Sequence, residues 1–213
     1  MDIVLFGIQG SGKGTIARAV STKFGFHYFE TGAQLRKLSQ EDSSLGHKVK
    51  AIIEEGKLVP NDIVMEIIED FMNTVPKNEA AIFDGIPRKQ IQAKTFDALM
   101  KKLDRSYMGI LVNVPKEIAI KRITLRRICA NCKAVYAADY ERSSCEKCSG
   151  ELISRSDDNP ESIKMRFTAY FEETMPVIEE YKSKNMLLTI DGIPPIPEVR
   201  ETTIKLIEEK LLK

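Results

Sequence analysis

GIQGSGKGT, residues 7–15, follows the apolar run IVLF at 3–6 and opens an amphipathic stretch from Lys13 to Phe24. Strand, glycine-rich turn and helix start is the order a phosphate-binding loop requires. The glycines let the backbone bend until successive N–H groups point inward as a nest for phosphate oxygens. The helix N-terminus adds partial positive charge. Gly10, Ser11, Gly12, Lys13, Gly14 and Thr15 are therefore expected to hold the phosphates of a nucleotide, with Lys13 reaching the β- and γ-phosphates. A glycine-rich turn without a ligand is the plain alternative. The spacing of Gly7, Gly12 and Lys13 after an apolar strand opposes it.

Working outward, short apolar runs alternate with longer amphipathic segments. Strands are expected at Ile3 to Phe6, Phe26 to Glu30, Ala80 to Phe83, Gly109 to Val114 and Met186 to Ile190. None alternates polar with apolar residues, as befits strands covered on both faces. Helices are expected over 13–24, 31–40, 44–55, 61–74, 88–102, 116–126, 160–184 and 197–212, with Pro176 kinking the seventh. Strands alternating with helices predict an α/β fold around a parallel sheet. Two regions break the alternation: 31–60, with two helical patterns and no strand, and 127–158, which holds all four cysteines. Both read as insertions on a core formed by 1–30, 61–126 and 159–213.

The 213 residues hold 32 Lys and Arg against 31 Asp and Glu, a net charge of +1 that opposes a nucleic-acid coat or a membrane-surface protein. MDIVLF has an acid where a signal segment has a positively charged start, and no apolar stretch approaches the ~18 residues of a membrane span. A cytoplasmic protein is the expectation, and there cysteines serve as ligands or free thiols more often than as disulfides.

Cys129 and Cys132 form one Cys-x-x-Cys pair and Cys145 and Cys148 another, with twelve residues between them. Four thiolates so spaced can close a tetrahedron around structural Zn²⁺, stapling a segment with little core of its own. Iron is another possible occupant. Free thiols, disulfides and a nucleic-acid-reading zinc ribbon are the competing readings. Asp84, at the end of AAIF, can orient waters around Mg²⁺ or act as a turn aspartate before Gly85. His27 and His47 lie in no nucleophile or metal pattern.

Gly14 stands where a phosphate loop usually has Ser or Thr, and GKGT in that form resembles the nucleoside monophosphate kinases of the adenylate kinase family. TGAQLR at 31–36, EGKLVPNDIV at 55–64, FDGIPRKQIQA at 83–93, RITLRR at 122–127 and SRSDDN at 154–159 are similar to that family's ordered motifs, with Arg166 following. The resemblance covers nearly the whole chain.

It implies a P-loop kinase core with a five-stranded parallel sheet, a helical monophosphate-binding insertion at 31–60 and a zinc-bearing lid at 127–158. It implies reversible transfer from Mg²⁺-bound ATP to AMP, giving two ADP, by a cytoplasmic monomer that binds neither nucleic acid nor membrane. Arg36 and Arg88 would hold the AMP phosphate. Arg126, Arg155 and Arg166 would surround the phosphates in transfer, and Arg122 would lie near the ATP base. Arginine suits the work, being planar, bidentate and always charged. Thr31, Lys57, Leu58, Val59, Gly85, Ile86, Pro87 and Gln92 would form the AMP pocket. Val135, Tyr136 and Pro194 would flank ATP.

The chain departs from the family pattern at Gln9, where Pro is usual, at Ala33, where an acid is usual, and at Ile86, where an aromatic is usual. Its cysteine pairs are also closer together than in familiar metal lids. A UMP or CMP kinase is the near alternative, and a zinc-containing P-loop ATPase that binds nucleic acid a more distant one.

Overall fold

In strand β1 (Asp2–Phe6), Ile3 and Leu5 pack into one apolar cluster while Val4 and Phe6 pack into another. All four are at most 2% exposed, so the sheet is covered on both faces, which explains the missing polar alternation. The structure, a computed structural model, describes residues 1–137, 140–155 and 157–212. Helix α1 (Lys13–Phe24) leads to β2 (His27–Glu30), followed by α2 (Thr31–Leu38), α3 (Ser44–Glu54) and α4 (Asn61–Thr74). Then come β3 (Ala81–Asp84), α5 (Gln90–Lys102), β4 (Tyr107–Asn113) and α6 (Lys116–Thr124).

Next come three short strands, β5 (Arg127–Cys129), β6 (Val135–Tyr136) and β7 (Leu152–Ile153). Helix α7 (Pro160–Ala169), a π-helical turn (Tyr170–Thr174), α8 (Met175–Ser183), β8 (Leu187–Asp191) and α9 (Ile196–Lys210) complete the chain. The five long strands form one parallel sheet in the order β2-β3-β1-β4-β8, as the alternation predicted. The three short strands form a separate antiparallel sheet in the order β6-β5-β7, with β5 in the centre.

The register places Glu30 beside Asp84 and Asp84 beside Leu5, so β1, β2 and β3 end together. Parallel strands deliver their following loops to one edge, the usual place for a ligand in such sheets. One face is filled by an aromatic chain: Phe29, Phe83, Phe96 and Tyr107 succeed one another edge to face or tilted, with centroids 5.1–6.0 Å apart.

Six of the eight expected helices are shorter than expected or interrupted, most by one or two residues at an end. Arg88 precedes α5 and Arg126 comes after α6, so both sit in loops. The long helix from Pro160 starts as expected, with the Asn159 side chain accepting from Ser162 N–H at 2.8 Å. Its break is the π-turn, which ends at Thr174, two residues before Pro176.

Candidate functional site

The loop after β1 needs its glycines. Gly7, Gly10 and Gly12 all have positive φ, and a Cβ on Gly10 would lie 2.3 Å from the Ala119 carbonyl oxygen. Gly12 caps α1 in the left-handed conformation. Gly14 answers a different constraint. Its φ is ordinary, but a Cβ there would come within 3.2 Å of the Asp84 carboxylate and 3.5 Å of the Tyr28 hydroxyl. A larger residue after Lys13 would press on the end of β3.

Beyond this loop opens a cavity of about 620 Å³. Lys13, Arg18, Arg36, Lys57, Arg88, Arg122, Arg126, Arg155 and Arg166 line it, against the carboxylates of Glu30, Asp84 and Asp157. A chain of net charge +1 thus places nine of its 32 Lys and Arg around one hollow, against three carboxylates. Every residue that the sequence nominated for nucleotide contact lines this cavity. Gly10 through Thr15, Arg122, Val135, Tyr136 and Pro194 come from some parts of the chain, and Thr31, Lys57, Leu58, Val59, Gly85, Ile86, Pro87 and Gln92 from others.

Burial lowers Lys13 from its usual 10.5 to about 8, with Asp84 opposing the shift and Arg88 and Arg126 adding to it. Its Nζ donates to the Gly7 and Ile8 carbonyls at 2.7 and 3.1 Å. Burial likewise lowers Arg155 to about 10, and its neighbours Arg126 and Arg36 push in the same direction. Burial also lowers Arg88, whose Nε donates to the Gly85 carbonyl at 2.7 Å. Cations whose charge is disfavoured by burial and by one another are arranged as a site for an anion would need them.

Some of this charge is held by carboxylates that sequence reasoning did not assign. Glu30 accepts from Arg36 at 2.9 Å and pairs with Arg18 at 3.2 Å. Burial would raise the Glu30 carboxyl, but Arg18, Arg36 and Arg155 outweigh it and hold it below the usual range. Asp158 binds Arg126 and Arg166, and Asp157 lies 3.4 Å from Arg166. The acids of SRSDDN were legible as part of a motif, while Glu30 carried no signal beyond its place before Thr31.

Among the described residues, four buried side-chain atoms lack a hydrogen-bond partner: Gln9 Oε1, Ser11 Oγ, Thr31 Oγ1 and Arg166 Nε. All four residues line the cavity. Buried polar groups are normally satisfied, so orphans gathered in one cationic hollow point to an absent polar ligand. Gln92 is buried as well, and its Oε1 accepts from the Arg88 N–H at 2.8 Å.

Asp84 ends β3 at the cavity wall, its carboxyl raised by burial despite Lys13, with Glu30 adding to the rise. A buried hard-oxygen donor whose charged form pays a desolvation penalty suits a divalent cation, whose field offsets that penalty.

Beside the small sheet, the four cysteine sulfurs lie within 4.8 Å of one another. Cys129 and Cys148 are 3.4 Å apart, and Cys132 and Cys145 3.5 Å. These separations exclude disulfides, and all four cysteines are free. Four convergent sulfurs fit a tetrahedral zinc site in donor type and number. His27 and His47 face Glu79 and Asp42 at 2.6 and 3.4 Å, away from this cluster. Among the described residues, no helix is long and apolar enough to cross a membrane.

Comparison with known proteins agrees with this geometry. The family model described as adenylate kinase matches residues 5–186. The adenylate kinase of Archaeoglobus fulgidus is 36% identical, with 98% of this chain and 99% of that protein aligned. That of Kosmotoga olearia is also 36% identical, over 98% and 99%. That of Borrelia garinii is 34% identical, over 99% and 100%. With its parallel sheet, glycine-bent phosphate loop and ring of cations, this chain belongs to the adenylate kinase family, P-loop enzymes that transfer a phosphoryl group to a nucleoside monophosphate.

Proposed function

We propose that the enzyme transfers the γ-phosphoryl group of ATP to AMP, reversibly, giving two ADP. The observation that carries this reading is the set of unsatisfied polar atoms, from Ser11 in the phosphate loop to Thr31 and Arg166 across the same cationic cavity. Two polar ligands meeting end to end would satisfy them together.

ATP lies with its phosphates over the loop at Gly10 to Thr15, its base near Arg122, Val135, Tyr136 and Pro194. Arg122 supports that edge by donating to the Gly192 and Ile193 carbonyls at 2.7 and 2.9 Å, which sets the loop carrying Pro194. AMP lies against Thr31, Lys57, Leu58, Val59, Gly85, Ile86 and Pro87. Arg36 and Arg88 take its phosphate, and the Gln92 amide faces its base. Lys13 leaves the Gly7 and Ile8 carbonyls for the β- and γ-phosphates. Arg126, Arg155 and Arg166 neutralise the charge that spreads over the moving group. Mg²⁺ supplies charge neutralisation on the ATP phosphates, and Asp84 would hold it, through water.

Residues 31–60 form the acceptor-side cover and 127–158 the donor-side lid, of which Ala138, Asp139 and Ser156 lie outside the described residues. Cys129, Cys132, Cys145 and Cys148 would hold Zn²⁺, which would staple the lid. Closure excludes water, which would otherwise accept the phosphoryl group. The enzyme works as a cytoplasmic monomer, without nucleic acid or membrane.

The test is ADP formation from ATP with AMP, CMP, UMP and GMP in turn. AMP is expected to be the best acceptor by a wide margin. Faster transfer to UMP or CMP would overturn the acceptor assignment. Acceptor-independent hydrolysis that nucleic acid stimulates would overturn the transferase reading altogether.

A further inference from the structure

Thr174 belongs to none of the sequence motifs, yet it is 7% exposed and lines the cavity. Its Oγ1 donates to the Arg88 carbonyl at 3.0 Å, across 86 residues of sequence. The Arg88 N–H donates to Gln92, and its Nε to Gly85. Gln92 and Gly85 are neighbours in the same loop and helix, so they fix Arg88 only relative to its own segment. Thr174 fixes that segment against another element.

The π-turn sets where Thr174 points. Pro176 has no N–H, so in a regular α-helix the carbonyl four residues earlier, at Glu172, would go without its bond. The chain widens instead, and the Met175 N–H bonds to the Tyr170 carbonyl, five residues back. One residue added to a turn rotates the later part of the helix by about 100° relative to an unbroken α-helix. The widened turn presents Thr174 to the Arg88 peptide. At the rim, Glu173 of the turn and Lys89 of the loop, each next to one member of that contact, pair at 3.4 Å.

We infer that Thr174 is a positioning residue for phosphoryl transfer: its hydroxyl, aimed by the π-turn, holds the Arg88 peptide so that the guanidinium meets the acceptor phosphate. This rests on the reading that Arg88 binds that phosphate. Misplacement of such a group by a fraction of its length is costly, because transfer demands in-line geometry. Thr174 touches neither phosphate; it acts through Arg88.

The experiment is a double-mutant cycle with steady-state kinetics for both substrates and a thermal melt for each variant. Thr174→Val keeps the shape and removes the hydroxyl. It is expected to lower kcat/KM for AMP about tenfold while KM for ATP stays within about twofold. Thr174→Ser restores the hydroxyl and is expected to recover most of the loss. In an Arg88→Ala background, Thr174→Val is expected to change the remaining rate less than about twofold. If Thr174→Val does not fold, Thr174→Ala takes its place in the cycle.

Native kinetics in the hydroxyl-free variant overturn the inference. So do an equal loss with and without Arg88, a Ser variant as impaired as Val, and equal damage to ATP and AMP. If Arg88→Ala alone leaves KM and kcat for AMP unchanged, the acceptor assignment falls, and this inference falls with it.

Discussion

Arg126 grips Asp158 with two nitrogens, Nε at 3.0 Å and Nη2 at 2.7 Å, and the same carboxylate accepts from Arg166 at 3.1 Å. One acid, 3% exposed at its side chain, thus holds two of the arginines proposed to surround the phosphates. Asp158→Asn keeps the shape and removes the charge. The ligand-free protein is expected to lose stability, by about 3 kcal/mol, because two largely buried cations lose their shared counter-ion. Turnover is expected to fall on the order of tenfold. Phosphates replace the missing charge, so a bisubstrate analogue should raise the melting temperature of the variant more than that of the native protein. Equal ligand-induced shifts would count against the placement of Arg126 and Arg166 at the phosphates.

Lys13 gives a pH signature. Its folded pKa, about 8, lies below the ordinary 10.5, so between those values the unfolded chain binds more protons than the folded one. Stability of the ligand-free protein from this group therefore rises with pH from about 8 to 10.5. Nucleotide phosphates favour the charged form, so binding at about pH 8.5 is expected to take up a proton. Calorimetry in two buffers of different ionisation enthalpy measures that uptake. Lys13→Met should abolish it, and uptake that persists in the variant would contradict this role for Lys13.

Gly14 is a space requirement as much as a motif letter. Gly14→Val would drive its methyl groups toward Asp84 and Tyr28, where even a Cβ stands at 3.2 and 3.5 Å. Overpacking of this kind typically costs about 1–3 kcal/mol. The variant is expected to melt earlier and to bind ATP more weakly, as seen by thermal shift and titration. A variant with native melting and native affinity would show that the strand end yields freely.

The four-cysteine cluster ties metal to nucleotide through one side chain. The Tyr136 hydroxyl lies 3.0 Å from Cys145 Sγ, and Tyr136 also lines the large cavity. Among the described residues, Cys129, Tyr136 and Cys145 form the buried cluster beside the small sheet. Metal analysis is expected to find about one zinc per chain. Stripping it with a chelator should loosen this sheet and raise KM for ATP several-fold, with KM for AMP much less affected. An equal rise for both substrates would detach the metal from the donor side.

Much of the fold is legible in the chain's local patterns. β1, β3, β4 and β8 each lie within a few residues of an apolar run bounded by turn residues, which is a local signal. Gly10 and Gly12 are legible because only glycine tolerates their backbone without strain. The helix ends are less so. Arg88 and Arg126 fit a helical pattern in sequence, but lie in loops whose course is set by contacts with Thr174 and Asp158. Pro176 marks the discontinuity in the long helix, but not that it widens into a π-turn.

The local pattern of the chain was enough to determine a parallel α/β core, a phosphate loop and two paired-cysteine knuckles, because periodicity, turn chemistry and ligand spacing act over a few residues. Only the tertiary structure decided which charges meet. Glu30 lies between Arg18 and Arg36, Asp158 between Arg126 and Arg166, and the Thr174 hydroxyl on Arg88, over separations of up to 86 residues. Coulomb attraction and hydrogen bonding depend on distance through space, and no window along a chain measures that.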